Sequence, residues 1–134
     1  MKLLITGSRK ITSYETVKLV IEELEMLERQ QITMLLHGGA KGADTLAEKW
    51  AQKNGIKTQE LKPDYEKHHP KSAPIIRNIE LVKLADKTLA LYSGNERTGG
   101  TGFTAMETEK AGKPLYEFFS TGELRYTAPA AKLF

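Results

Sequence analysis

Two arginines, two carboxylates and three glycine-bearing loops are the features of this chain best suited to chemistry. Arg9 follows Gly7-Ser8, and Arg77 stands before Asn78. Asp44 closes the run His37-Gly38-Gly39-Ala40-Lys41-Gly42-Ala43-Asp44, and Glu107 closes Gly99-Gly100-Thr101-Gly102-Phe103-Thr104-Ala105-Met106-Glu107. The planar fork of arginine donates paired hydrogen bonds to a phosphate. A carboxylate suits ribose hydroxyls or the departure of a base. Glycines let the backbone approach a ligand closely, and the free N–H groups at the start of a helix favour an anion. Nucleotide recognition is the chemistry these residues share.

The spacings exclude two familiar nucleotide sites. Gly38, Gly39 and Gly42 do not make G-x-G-x-x-G, and no Gly-Lys-Ser/Thr follows. Each residue also has a plain structural alternative. A glycine turn after a strand can be a tight connection only, and Arg9 and Arg77 can be surface cations. Asp44 can serve the dipole of its helix, Glu107 can pair with Lys110 on a solvated face, and His37 can end a strand on a backbone hydrogen bond.

The elements that must position these groups follow from periodicity. Lys2 to Thr6 reads as a first strand. A helix then starts near Thr12, whose spacing to Glu15 makes a capping box, with Val17, Val20, Ile21, Leu24 and Leu27 facing inward. Ile32 to Leu36 is a second strand, and Ala43, Leu46, Ala47 and Trp50 share one face of a second helix stopped at Asn54-Gly55. Ile56 to Leu61 is a polar third strand suited to a sheet edge, and Pro63 to Pro70 a loop. Ser72 and Pro74 open a third helix with Ile75, Ile79, Val82 and Ala85 inward. Thr88 to Tyr92 is a fourth strand, a fourth helix runs from about Thr101 or Thr104 to Ala111, and Leu115 to Phe119 is a fifth strand.

This alternation predicts an α/β fold: one Rossmann-like three-layer domain over residues 1–119 with a mainly parallel five-stranded sheet. Residues 120–134 form a tail whose Tyr126, Leu133 and Phe134 are expected to pack on the domain or on a partner subunit. Ligands of such sheets sit at the strand carboxyl ends near the switch in strand order. Gly7-Ser8-Arg9, His37 to Asp44 and Ser93 to Gly102 all follow strands, so they are expected to meet there.

With 134 residues the chain fits one domain and leaves no room for a separate substrate domain, so a site spanning two bodies needs a second subunit. No apolar run reaches membrane-span length and no secretory leader is visible, which makes a cytoplasmic location the expectation. Cysteine is absent, and His68-His69 lack the spacing of a metal-binding helix, so neither a metal nor another cofactor is expected. The net charge of +3, with basic residues interleaved among acids, suits a small anion better than a nucleic acid.

Taken together, Gly7-Ser8-Arg9, the HGGAKGAD run with Leu46-Ala47 and Trp50-Ala51, and Arg77-Asn78 before Leu84-Ala85-Asp86 resemble a bacterial and phage family. It is the YspA-like, YpsA-related branch of the SLOG superfamily, named for the Smf/DprA and Lonely Guy proteins. The resemblance runs from about Lys2 to Glu117 and implies a Rossmann-like domain that binds nucleotides or nucleotide-derived ligands. Lonely Guy relatives hydrolyse the N-glycosidic bond of nucleoside 5′-monophosphates with an arginine and a glutamate near a PGGxGTxxE motif. By that resemblance Arg77 and Glu107 are the catalytic pair. Gly7, Ser8, Arg9, Gly38, Gly39, Gly42, Asp44, Asn78, Gly99, Gly100, Thr101, Gly102 and Thr104 are the nucleotide- and phosphate-binding set. A homodimer is also implied, since relatives commonly assemble.

Thr98 stands where the motif has proline, one extra residue precedes its threonine, and Asn78 stands where the enzymes commonly carry lysine. A displacement of about 1 Å in a catalytic group can cost roughly a hundredfold in rate, so binding carries over more safely than hydrolysis. The alternative is a non-catalytic sensor or sponge for a cyclic or ADP-ribose-derived nucleotide. Single-stranded DNA binding of the DprA kind ranks third, because the tyrosines are scattered and no basic groove is evident.

Overall fold

Leu3, Leu4 and Ile5 are all fully buried, which requires that both faces of their strand be covered. In the computed structural model, which describes residues 1–129, that strand is β1 (Lys2–Gly7). The chain continues as α1 (Tyr14–Glu28), β2 (Met34–His37), α2 (Ala43–Lys53), β3 (Lys57–Glu60), α3 (Ala73–Leu84), β4 (Lys87–Leu91), α4 (Gly99–Lys110), β5 (Leu115–Phe118) and β6 (Leu124–Thr127). The sheet order is β3-β2-β1-β4-β5-β6, parallel throughout except for β6, which runs antiparallel to β5.

The two helical layers have different cores. On one face Val17, Ile21 and Leu24 of α1 and Trp50 of α2 pack over Leu3, Ile5 and Leu89. On the other, Leu81 and Val82 of α3 meet Leu4 and Leu36, while Ala105 of α4 meets Ala90, Tyr92 and Leu115. The parallel α/β architecture read from the sequence is therefore the one observed, with one strand more. The prediction of five strands missed β6, because Leu124 to Thr127 is only four residues long and half exposed, so its alternation of Leu124 and Tyr126 with Arg125 and Thr127 is too short to stand out. Its Tyr126 lies against Tyr116 with ring centroids 4.7 Å apart. Leu133 and Phe134, which the sequence also assigned to packing, lie outside the described residues.

Several boundaries and faces differ from expectation for local reasons. The cap of α1 is Ser13 rather than Thr12; its hydroxyl accepts from the Thr16 N–H at 3.2 Å. Leu27 is 59% exposed, since the chain turns out of the helix at Arg29. Ile75 is also exposed and Ile79 only half-buried; Ala73, Leu81 and Val82 hold α3 on the sheet instead. Helix α4 begins at Gly99, earlier than the expected start at Thr101 or Thr104.

Helix α4 has no broad apolar stripe and is fixed by hydroxyls. Thr108 donates to the Thr104 carbonyl at 2.9 Å and meets the Thr88 hydroxyl at 2.8 Å, with both threonines buried. The Lys113 ammonium closes the end of α3 by donating to the carbonyls of Val82, Lys83 and Ala85 at 2.6–2.9 Å. No helix among the described residues is long and apolar enough to cross a membrane.

The strand order reverses between β1 and β4, where a crevice opens at the carboxyl ends. There α2 approaches β1 so closely that a Cβ on Gly7 would collide with Ala43 Cβ and stand 3.0 Å from the Leu91 carbonyl. Gly7→Ala is therefore expected to cost about 1–3 kcal/mol through overpacking, read as a lowered midpoint in urea unfolding with an unchanged slope.

Candidate functional site

A cleft of about 370 Å³ lies over the carboxyl end of β1, between α3 and the start of α4. Of the residues singled out in the sequence it brings together Gly7, Ser8, Arg9, Gly38, Asp44, Arg77, Asn78, Gly99, Gly100, Thr101 and Thr104. Gly39, Gly42, Gly102 and Glu107 do not line it. Tyr92 and Thr98, not singled out as ligand contacts, do.

The loop after β2 is bonded to itself. The Asp44 carboxylate accepts from the N–H groups of Gly38 at 3.1 Å and Ala40 at 3.2 Å, and His37 Nδ1 accepts from the Gly39 N–H at 3.0 Å. Because Nδ1 accepts, the proton of the neutral ring sits on Nε2, which faces Glu48 Oε1 at 2.8 Å. Burial pushes the Asp44 carboxyl above its usual range; the Ala40 and Gly38 N–H groups and the charge of Arg77 offset this only in part. Three of the amides expected to cradle a phosphate, those of Gly38, Gly39 and Ala40, are thus already occupied. Gly42 backs onto the β1 loop, where a Cβ would meet Ser8 O and stand 2.7 Å from Arg9 Cα.

What this loop offers a ligand is a seat for Arg77. The Arg77 Nη1 donates to the carbonyls of Gly38 at 3.0 Å and Leu61 at 3.2 Å, and Nε donates to Asn78 Oδ1 at 2.8 Å. A Cβ on Gly38 would lie 2.8 Å from the guanidinium carbon, so only glycine leaves room for it. Burial pulls the Arg77 pKa down, opposed by Asp44, Tyr65 and Glu60, and a guanidinium keeps its proton regardless. Three bonds fix the group and leave Nη2 with two N–H donors in a half-buried cleft.

The opposite wall is the first turn of α4. Thr98 is its N-cap without a side-chain hydrogen bond, and among the described residues nothing accepts from the N–H groups of Gly99, Gly100 and Thr101. Their position is set from behind. Arg97 donates from Nε and Nη2 to the two oxygens of Glu117 at 2.9 and 2.8 Å, and from Nη1 to Glu109 at 2.6 Å. Glu117 is 1% exposed and also accepts from the Tyr92 hydroxyl at 2.6 Å. Burial pushes the Glu117 carboxyl up, but the hydrogen bonds of Arg97 and Tyr92 and the charges of Arg97 and Arg125 outweigh it and hold the pKa below the usual range. Gly102 serves this crossing: a Cβ there would lie 2.9 Å from Arg97 Cγ.

Glu107 lies on α4 three residues beyond Thr104, 20% exposed, with Lys110 at 3.4 Å as its partner. Among the described residues no cluster of carboxylates and histidines is arranged to hold a metal ion. Arg97 and Glu117 escaped the sequence reading, although a glutamate inside the buried run Leu115 to Phe118 was itself a signal that a donor must reach it.

The family described as YspA, cpYpsA-related SLOG matches residues 1–68, just over half the chain, from β1 through the loop that seats Arg77. This chain belongs to the SLOG family. The chain is also similar to the Gene 61 protein of Mycobacterium phage D29, 38% identical over 123 residues, covering 87% of this chain and 95% of that one. At that coverage the similarity extends through α3 and α4, so the arginine seat and the α4 wall of this SLOG domain both fall within it.

Two outcomes follow from the packing behind the cleft. Asp44→Ala, which strands two amides, is expected to cost about 2 kcal/mol in urea unfolding, and Asp44→Asn to restore most of it. Arg97→Ala leaves Glu117 buried without its cation and is expected to cost about 3 kcal/mol, toward the low end for a broken buried pair because Arg97 is 37% exposed. The pH sign follows from the lowered Glu117 pKa: its stabilisation is present above the unfolded value of about 4.3 and is lost as pH falls through the folded one. Unfolding midpoints between pH 3 and 7 should therefore fall less steeply with acid in Glu117→Gln than in the native chain.

Proposed function

We propose that this SLOG domain binds a nucleotide or nucleotide-derived ligand through its phosphate, held between the first turn of α4 and Arg77. The observation that carries this reading is the pair of facing donors. Three α4 amides without acceptors stand across the cleft from a guanidinium fixed by three hydrogen bonds. A phosphate needs several donors converging from fixed positions, and this site has them before the ligand arrives. Arg9, on the β1 loop at the rim, adds a second cation. Membership of the family supports a nucleotide-related role at the level of the family.

The test is to incubate stoichiometric protein with nucleoside monophosphates, cyclic nucleotides and NAD-derived nucleotides, then to analyse retained and free molecules by mass spectrometry. An intact nucleotide should remain with the protein, and Arg77→Met should weaken its binding at least tenfold, since a charged hydrogen bond contributes about 1.5–3 kcal/mol. Equal retention by the native chain and the variant would remove Arg77 from the site.

A second reading, hydrolysis of the N-glycosidic bond of a nucleoside 5′-monophosphate, draws on Glu107. A carboxylate 20% exposed with one partner at 3.4 Å is weakly held, and helical spacing puts it on the same side of α4 as Thr104, one turn farther along. As the base leaves, the ribose gains oxocarbenium character that such a carboxylate stabilises, or it orients the attacking water. Free base and ribose 5-phosphate in the same incubation, lost in Glu107→Gln, would establish turnover. Retained nucleotide without product makes the domain a sensor or sponge.

A further inference from the structure

We propose that the ligand has two parts, a nucleotide in the cleft described above and a sugar lodged in a second lobe across the sheet crevice. The proposal rests on the nucleotide reading and extends it. A second cavity of about 330 Å³ opens on the α1 side of the sheet, at the carboxyl ends of β4 and β5. Both lobes fall at the lower end of the size range of small-molecule sites, so neither alone holds a large ligand. Tyr92 borders both. Between them the Ser8 N–H donates to the Leu91 carbonyl at 2.9 Å and the hydroxyls of Ser8 and Ser93 meet at 3.1 Å. A ligand joining the lobes crosses over this pair, where strand order switches between β1 and β4.

The lining of the second lobe selects the chemistry of its occupant. Thr12, Ser93 and Ser120 bring hydroxyls, while Phe118 brings aromatic surface. Hydroxyls rotate to donate or accept and so match a ring of hydroxyl groups. Among the described residues no carboxylate or carboxamide lines the lobe to read the edge of a second base, and Lys10 is the one charged residue there, too little for further phosphates. A neutral sugar with one apolar face fits this wall, and the phosphates that carry it fit the α4 amides and Arg77. The ligand class is a nucleoside diphosphate bearing a sugar on its terminal phosphate.

Calorimetric titration of the native chain with three pairs of probes tests this: ADP and ADP-ribose, GDP and GDP-mannose, UDP and UDP-glucose. At least one sugar-bearing form should bind tenfold or more tightly than its bare diphosphate. Ser120→Trp, which fills the second lobe from an exposed position, should erase that difference while the bare diphosphate binds as before, and Thr12→Trp should repeat the result from the facing wall. Circular dichroism establishes that either variant is folded. Equal affinity within every pair, or an equal loss for both members of a pair in folded variants, overturns the two-part ligand and leaves the nucleotide reading intact. Absence of binding by all six probes also overturns the two-part ligand, while the nucleotide reading is decided separately by the retention of monophosphates and cyclic nucleotides.

Discussion

A carboxylate taken out of water must be met by donors or it will not stay ionised, and Glu117 is taken almost completely out of water. Its position in the middle of β5 therefore dictates more than its own surroundings. It draws Arg97 across α4, and that crossing requires Gly102. It also ties the Tyr92 hydroxyl at the floor of the cleft. The amides of Gly99 to Thr101 then face the cleft because the residue just before their cap is held from behind. Burial and the bond to Glu117 push the Tyr92 hydroxyl pKa well up, so at neutral pH it stays a donor to that carboxylate.

The two walls of the cleft solve different problems. The β2 loop spends the amides of Gly38, Gly39 and Ala40 on Asp44 and His37 and becomes a shelf whose Gly38 carbonyl receives Arg77. The α4 turn keeps its amides free, because its anchor, Arg97, lies two residues before the helix. A site with one wall that seats a guanidinium and one of unsaturated backbone has a defined direction for charge. An anion gains on the α4 side and is balanced by the guanidinium opposite.

Much of the fold was legible because parallel strands buried on both faces read as continuous apolar runs, as at Leu3 to Ile5 and Leu89 to Leu91. The helix faces were legible where burial is one-sided, as at Val17, Ile21 and Leu24, and misleading where a helix leaves the sheet, as at Leu27 and Ile75. The loops that meet at the cleft were legible from glycines after strands. What each glycine does was not. Gly38 makes room for a guanidinium thirty-nine residues away and Gly102 for the Arg97 stem, and such distant partners leave no local spacing to detect. The Arg97 and Glu117 pairing was hidden for the same reason. β6 was hidden because four alternating residues, Leu124 to Thr127, are too few to read as a strand without the hairpin that delivers them.

The edges of the sheet bear on how copies of this chain can meet. Strand β3 presents Lys57, Gln59 and Glu60 to solvent on a four-residue edge, and at the far side the equally short β6 exposes Arg125. Short, charged edges resist the addition of another strand. The outward face of α1, by contrast, leaves Leu19, Met26 and Leu27 more than half exposed. The sheet is thus guarded against extension at both edges, and the apolar surface of the domain lies on a helix instead.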